Sequence, residues 1–387
     1  MTATPGRIGI NALFLEPGMG GMEVYVRELV PALARLAPRS EVTVVANPVG
    51  ADCLRSAGWP PSIRIAVPRV LGMRGLRAVS EATILGAYAS SRFDALFSPA
   101  MTAPLVTRAA NVVMIPDLIW LTDLEPGRAP SVTDRLWRTV VPPTARRADR
   151  IVAFTEFGAR DIESRLRVPG DRIDVVGCGF GMTRRSAAMG EQEVRDRFDL
   201  GSGPIVLSVA AKKPHKNLLR LIGGMRIVRA SVPDAMLVMP GPSTPHEAEL
   251  RARVQREGLA ATVRLPGFVD DDVIEALYAT AGCVALPSLR EGFCIPMLEA
   301  MNRGVPVVAS NASCLPEVAG GAAELVDPFS EEAIAGGIVR VLDDADRRAE
   351  LIAAGRERCA QFSWESCAQG VMTSLTSAWS AKRGRGG

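Results

Sequence analysis

Histidine is almost missing from this chain: His215 and His246 are the only two in 387 residues. That leaves too few imidazoles for a His-built zinc centre. The seven cysteines stand singly at 53, 178, 283, 294, 314, 359 and 367, with no CxxC or Cys/His ligand spacing. Such scattered thiols in apolar surroundings predict a reduced, cytoplasmic protein. A net charge of +3 is too small to point to nucleic acid. No window approaches the ~18 apolar residues of a spanning helix. The opening MTATPGRIGINALFL lacks a basic leader with a long apolar core, so no signal peptide is expected. With 48% hydrophobic and 22% charged residues, a soluble globular protein is expected. The length favours two domains.

Strand-like and helix-like stretches alternate. RIGINALFL (7–15), EVTVVAN (41–47), ALFSP, VVMIPD and RIVAFT (150–155) read as strands. A helix after the first carries Met22, Val26, Leu29, Leu33 and Leu36 on one stripe. Residues 177–204 are glycine-rich and read as a linker. A second series follows: PIVLSVA (204–210), AMLVMPG (235–241), TVRLPGF (262–268), GCVALPS (282–288) and VPVVAS (305–310). The fold class is therefore α/β, with two Rossmann-like, doubly wound parallel domains facing a central cleft at the strands' carboxyl ends. The expected bounds are 1–180 and 181–362. A last helix is predicted at about 363–380, and the basic AKRGRGG tail is expected to be disordered.

Two glutamates in SLREGFCIPMLEA (288–300), Glu291 and Glu299, are separated by seven residues. Eight steps of an α-helix end roughly 80° past full turns, so the pair would not share one helix face. Pro296 suggests strand, loop with Glu291, then a helix with Glu299 in its first turn and Ile295 extended before it. Helix amides aimed back at the loop would make an anion site beside two carboxylates. The alternative leaves Glu299 complementing the helix dipole and Glu291 solvated.

Three further stretches bear on chemistry. EPGMGGMEVYVRELV (16–30) is a glycine turn opening a helix, suited to phosphate or sugar oxygens, or else a plain tight turn. Its G-x-G-G spacing is not the dinucleotide fingerprint. AAKKPHKNLLRLI (210–222) places Lys212, Lys213 and Lys216 at a strand's carboxyl end, as point charges for a diphosphate or as a solvated basic turn. DDD (270–272) precedes a helix, so capping and dipole stabilisation account for it and no metal site is expected. In NASCLPEVAGGAAELVDP (311–328) small residues allow a ligand's close approach or a packed loop.

PSLREGFCIPMLEAMNRGVPVVASNASCLPEVAG (287–320), PHKN (214–217), GMGGMEVY (18–25) and ADRIVAFTEF (148–157) together resemble glycosyltransferase family 4, the retaining sugar transferases of the B-type fold. The resemblance implies that the first domain binds the acceptor and the second the nucleotide sugar, with the helix after FSW (362–364) crossing back to the first domain. It assigns Glu291 to the donor sugar, Phe293, Cys294 and Ile295 to backbone contacts with sugar and phosphate, and Glu299 to the ribose. Lys216 would hold the diphosphate. Gly20 and Gly21 would lie over the phosphates, and Phe268 and Val269 near the base.

Three positions depart from the family. Its arginine five residues before the lysine is Ala211 here, so either Lys212 would stand in from the next position or the diphosphate would be held less tightly. Its His-Asp pair is Pro116-Asp117, which removes a common contact to the substrate and leaves Asp117 as a catalytic candidate beside Glu291 and Lys216. Its glycine is Cys294, whose side chain would narrow the sugar pocket. The implied activity is metal-independent, cofactor-free transfer of mannose, glucose or rhamnose from a nucleotide diphosphate sugar to a glycan, lipid-linked or small-molecule hydroxyl. A sugar-nucleotide 2-epimerase and a silent sugar-nucleotide or glycan-binding protein are the alternatives. Arg64, Arg69, Arg74 and Arg77 form a basic-apolar surface that could make weak peripheral contact with anionic lipid, or a solvated face. Nothing in the sequence sets the oligomeric state.

Overall fold

The computed structural model describes residues 4–68, 77–122, 132–181 and 189–384. It divides into two units: Met1–Asp123, Gly127–Gly181 and Phe362–Gly387 form the first, and Leu124–Pro126 with Met182–Gln361 the second.

Seven strands build the first unit's sheet: β1 (Arg7–Ala12), β2 (Glu41–Ala46), β3 (Ile63–Ala66), β4 (Ala95–Ser98), β5 (Ala110–Met114), β6 (Arg150–Ala153) and β7 (Ile173–Val175). Their order is β3-β2-β1-β4-β5-β6-β7, and every pairing is parallel. Every residue of β4 and β5 is buried. Helices cover both faces of such a sheet, so its central strands are continuously apolar rather than alternating. β3 and β7 were not anticipated. They lie at the sheet edges, half exposed, and IRIA and IDV carry too short an apolar run to read as strands.

The last helix, Trp364–Gly384, belongs to this unit and buries Cys367, Val371, Leu375 and Ala378 on one stripe. Trp364 packs edge-on against Tyr25 with ring centroids 5.7 Å apart. A Cβ at Gly179 would meet the Trp364 ring at 2.2 Å, so one glycine of the expected linker is a packing position. The helix also runs further than its pattern suggested. Lys382 Nζ donates to the carbonyls of Thr107 and Ala109 at 3.0 and 2.9 Å and to Asp149 Oδ2 at 3.1 Å. Residues 381–384 of the tail expected to be disordered are thus helical, and residues 385–387 lie outside the described residues.

The second unit holds β8 (Ile205–Leu207), β9 (Met236–Pro240), β10 (Val263–Gly267), β11 (Ala281–Leu286), β12 (Val307–Ser310) and β13 (Glu324–Val326). Their order is β10-β9-β8-β11-β12-β13, again all parallel. Its core joins Val206, Leu237, Cys283 and Val308 of the sheet to Leu221, Met225, Ile334 and Ile338 of the helices. Strand order reverses between β8 and β11 in this sheet and between β1 and β4 in the other. Open α/β sheets place ligands at the carboxyl ends of the strands flanking that reversal.

Of the arginine surface, Arg69 and Arg74 lie outside the described residues. Arg64 pairs with Glu41, and Arg77 reaches the Phe14 carbonyl at 3.5 Å. Residues 182–188 of the expected linker also lie outside them. No helix among the described residues is long and apolar enough to cross a membrane.

Candidate active site

The loops after β8 and β11 flank the reversal in the second sheet, and each residue of PHKN has a structural task there. Pro214 opens a short 3-10 turn, Pro214–Lys216, which needs no amide from its first residue. The His215 carbonyl accepts the Leu289 amide at 2.8 Å, joining the two loops. Asn217 takes the left-handed conformation with φ 59°. Its Nδ2 donates to the Pro287 and Pro328 carbonyls at 2.9 and 2.7 Å, tying down two other loops. Lys216 is thereby aimed across the reversal, and its Nζ donates to Glu291 Oε1 at 2.7 Å. His215 is pushed down to about 4, mainly by burial and then by the Lys216 charge, so it is neutral at pH 7.

Glu291 is 8% exposed, which overturns the solvated alternative. Its amide donates to Ser313 Oγ at 3.1 Å, while its carbonyl accepts from Ser313 Oγ at 3.1 Å and Cys314 Sγ at 3.3 Å. The small-residue loop is therefore the clamp on the Glu291 backbone. Cys294 sits at φ 78° with its side chain buried. Glycine adopts that conformation without steric cost, which gives the Cys294 departure a physical meaning. The positive φ lets the chain turn straight into the helix Ile295–Asn302, so Ile295 is helical rather than extended. Glu299 is then the fifth helical residue, beyond the expected first turn, and a first-turn dipole role fails with it. Tyr278 Oη donates to Glu299 Oε2 at 3.0 Å. The helices Ile295–Asn302 and Leu218–Ser231 both begin without a side-chain cap. Both starts carry the partial positive charge of a helix N-terminus, although at the first Pro296 has no amide hydrogen and the Met297 amide donates to the Cys294 carbonyl at 3.0 Å.

Lys212 departs from expectation. It is 0% exposed, and Nζ donates to the Gly241 carbonyl at 2.9 Å. Burial lowers its pKa to about 8. Its ammonium holds the β8 loop to the β9 loop and does not stand in for the missing arginine. Phe268 and Val269 follow β10, and Phe268 is 75% exposed, an open face for stacking. In the DDD run, Asp270 holds the N-cap position without a side-chain cap bond, leaving Asp271 and Asp272 to complement the dipole. Among the described residues no group of three or more His, Cys, Asp or Glu could hold a metal.

Gly20, Gly21 and Asp117 belong to the first unit. Gly20 precedes the helix Gly21–Leu36 at φ 62°, ψ −130°, and Glu23 Oε2 closes the glycine turn by accepting the Gly18 amide at 2.9 Å. Asp117 Oδ1 accepts the Ile119 amide at 3.0 Å, starting a 3-10 turn. In the second unit, Lys216, Glu291, Phe293, Cys294 and Ile295 are brought to one end of the sheet. Tyr278, Asn217, Ser313 and Arg303 were not singled out, although Asn217, Arg303 and Ser313 lie inside the quoted motifs.

Residues 20–179 match the glycosyl transferase 4-like domain model, and residues 191–358 match that of glycosyl transferases group 1. O-antigen chain mannosyltransferase B of Escherichia coli is 32% identical over 226 residues, 57% of this chain and 58% of that protein. D-inositol 3-phosphate glycosyltransferase of Salinispora tropica is 34% identical over 241 residues, 56% of this chain and 48% of that protein. The matches thus span about half the length of these relatives. Anabaena HepE, crystallised with UDP and glucose, superposes with TM-score 0.73 at 20% identity over 96% of this chain and 99% of that one. Sucrose-phosphate synthase of Thermosynechococcus elongatus gives 0.71 at 20% identity over 94% and 97%. Two matched domains, two parallel α/β sheets and this likeness identify the chain as a family 4-type glycosyltransferase of the B-type fold.

Proposed function

We propose that this protein transfers a hexose from a nucleotide diphosphate sugar to a hydroxyl of a glycan, lipid-linked or small-molecule acceptor, with retention and without a metal. The observation that carries the reading is the Lys216–Glu291 contact of 2.7 Å on the two loops flanking the β8/β11 reversal. Mannose is the first choice of sugar, because several relatives are named mannosyltransferases.

Breaking the bond from the anomeric carbon to the diphosphate puts positive charge on the sugar and negative charge on the departing phosphate. Lys216 and the two uncapped helix starts supply fixed positive charge for the phosphate. Glu291 faces the sugar hydroxyls, and Glu299 takes the ribose. Phe293, Cys294 and Ile295 offer main-chain contacts, with Phe268 and Val269 near the base. In the first unit, Gly20 and Gly21 offer backbone to the donor, and Asp117 serves the acceptor. Front-face attack lets the departing phosphate oxygen take the acceptor's proton, so neutral His215 is not required as a base.

Thermal-shift screening against GDP-mannose, UDP-glucose and dTDP-rhamnose tests the donor class, since a ligand that binds the folded state raises its apparent stability. The expected result is a shift with one donor, followed by anomer-retaining transfer that EDTA leaves intact. No shift with any donor, or activity lost to EDTA and restored by manganese, would count against the reading.

A further inference from the structure

We propose that Tyr278 is a positioning residue for donor binding: its hydroxyl holds Glu299 Oε2 and leaves Oε1 to the ribose hydroxyls. The proposal rests on the reading that Glu299 binds the ribose.

Tyr278 lies in the last turn of the helix Asp271–Thr280 and is 0% exposed. A buried phenol needs a partner for its hydroxyl, and this one finds the Glu299 carboxylate at 3.0 Å. Arg303 stands beside both residues without taking that carboxylate. Its guanidinium lies 4.6 Å from the centre of the Tyr278 ring. Nε donates to Glu275 Oε2 at 2.8 Å, and Nη1 donates to the Glu299 main-chain carbonyl at 2.9 Å. Glu275 thus answers the Arg303 charge, while the Glu299 side chain is held by a neutral donor. A carboxylate so held keeps its charge and acceptor capacity for a vicinal diol, and its plane is fixed before the ligand arrives.

The groups around Glu299 act in both directions. Burial raises its affinity for a proton, Arg303 and the Tyr278 hydrogen bond lower it, and Glu275 and Asp271 raise it. The net direction is upward. The nearby Cys294 thiol is itself pushed up by burial and stays neutral. Donor affinity should therefore fall as acid protonates Glu299. Removing the Tyr278 hydroxyl should move that fall to higher pH.

The test is calorimetric titration of GDP-mannose and UDP-glucose, without acceptor, from pH 4.5 to 8. Their diesterified diphosphates do not titrate in this range, and His215, pushed down to about 4 by burial, begins to take up a proton only at its acid end, where Glu299→Gln separates the two. Tyr278→Phe keeps the ring and its Arg303 contact. It should bind the donor about fivefold to tenfold more weakly at pH 8, with the acid loss starting at higher pH than in the wild type. Glu299→Gln should abolish the acid loss in both backgrounds. If Glu299→Gln does so but Tyr278→Phe keeps the wild-type midpoint and binds within twofold, the positioning role is wrong and the ribose assignment survives. If the wild type shows no acid loss and Glu299→Gln binds equally well, or neither donor binds, both fall together. A drop in Tm without a shifted midpoint would mark Tyr278 as merely structural and overturn the proposal.

Discussion

Lys216 and Glu291 stand 75 residues apart in sequence, and their charged groups meet at 2.7 Å. The lysine side chain is 18% exposed and the glutamate 8%. Removing one member leaves the other charge poorly hydrated, which costs more than removing both. Lys216→Met should therefore lose about 2 kcal/mol in urea unfolding, and Lys216→Met/Glu291→Gln should recover at least half of it. Lys216→Met should also lower kcat/KM about 100-fold or more. A loss within twofold would remove the charge-stabilising role.

Cys294 tests the meaning of a side chain at φ 78°. Cys294→Gly relieves a left-handed strain of about 1 kcal/mol and forfeits a buried thiol of similar worth. Its stability should stay within about 1 kcal/mol of wild type, while the β-branched Cys294→Val should lose about 2 kcal/mol or more. Denaturant midpoints decide between these outcomes. Equal losses would mean that packing rather than backbone conformation governs the position.

Lys212 gives a pH dependence of defined sign. Its folded value of about 8 lies below the ordinary 10.5, chiefly because of burial. Between those values the unfolded chain binds the extra proton, so this lysine's contribution to stability is lost as pH falls through 8 and is fully present above 10.5. The stability of wild type relative to Lys212→Met should rise between pH 7 and 10 by on the order of 1–3 kcal/mol. A pH-independent difference in urea midpoints would refute the burial effect.

Gly20 holds φ 62°, ψ −130°, and a Cβ there would touch nothing within 4 Å. The cost of Gly20→Ala is therefore conformational alone, about 1–3 kcal/mol, and should appear as a lowered Tm even without donor. Unchanged stability would mean that the turn adopts another conformation.

The central strands of both sheets could be read from sequence because their runs are apolar on both faces, as ANVVM and VVAS are. β3, β7 and β13 could not, because three or four partly exposed residues carry no distinctive run. Both loops of the candidate site were legible because Pro214 and Pro296 mark where helical structure begins. The place of Glu299 in its helix was missed by one residue, because positive φ at Cys294 lets the helix start at Ile295. Lys212 was misplaced for another reason. Composition does not reveal that an ammonium will turn inward to a carbonyl, here that of Gly241, which is reached only once β9 lies beside β8.

The first unit takes both the strands that precede the second unit in the chain and the helix Trp364–Gly384, which follows it. Domains generally fold in order as they leave the ribosome. Here the Tyr25 ring waits for Trp364, and the Thr107 and Ala109 carbonyls wait for Lys382. During synthesis the second unit can therefore finish while the first still shows a bare apolar seam, and a ribosome stalled before Trp364 would display that seam to chaperones.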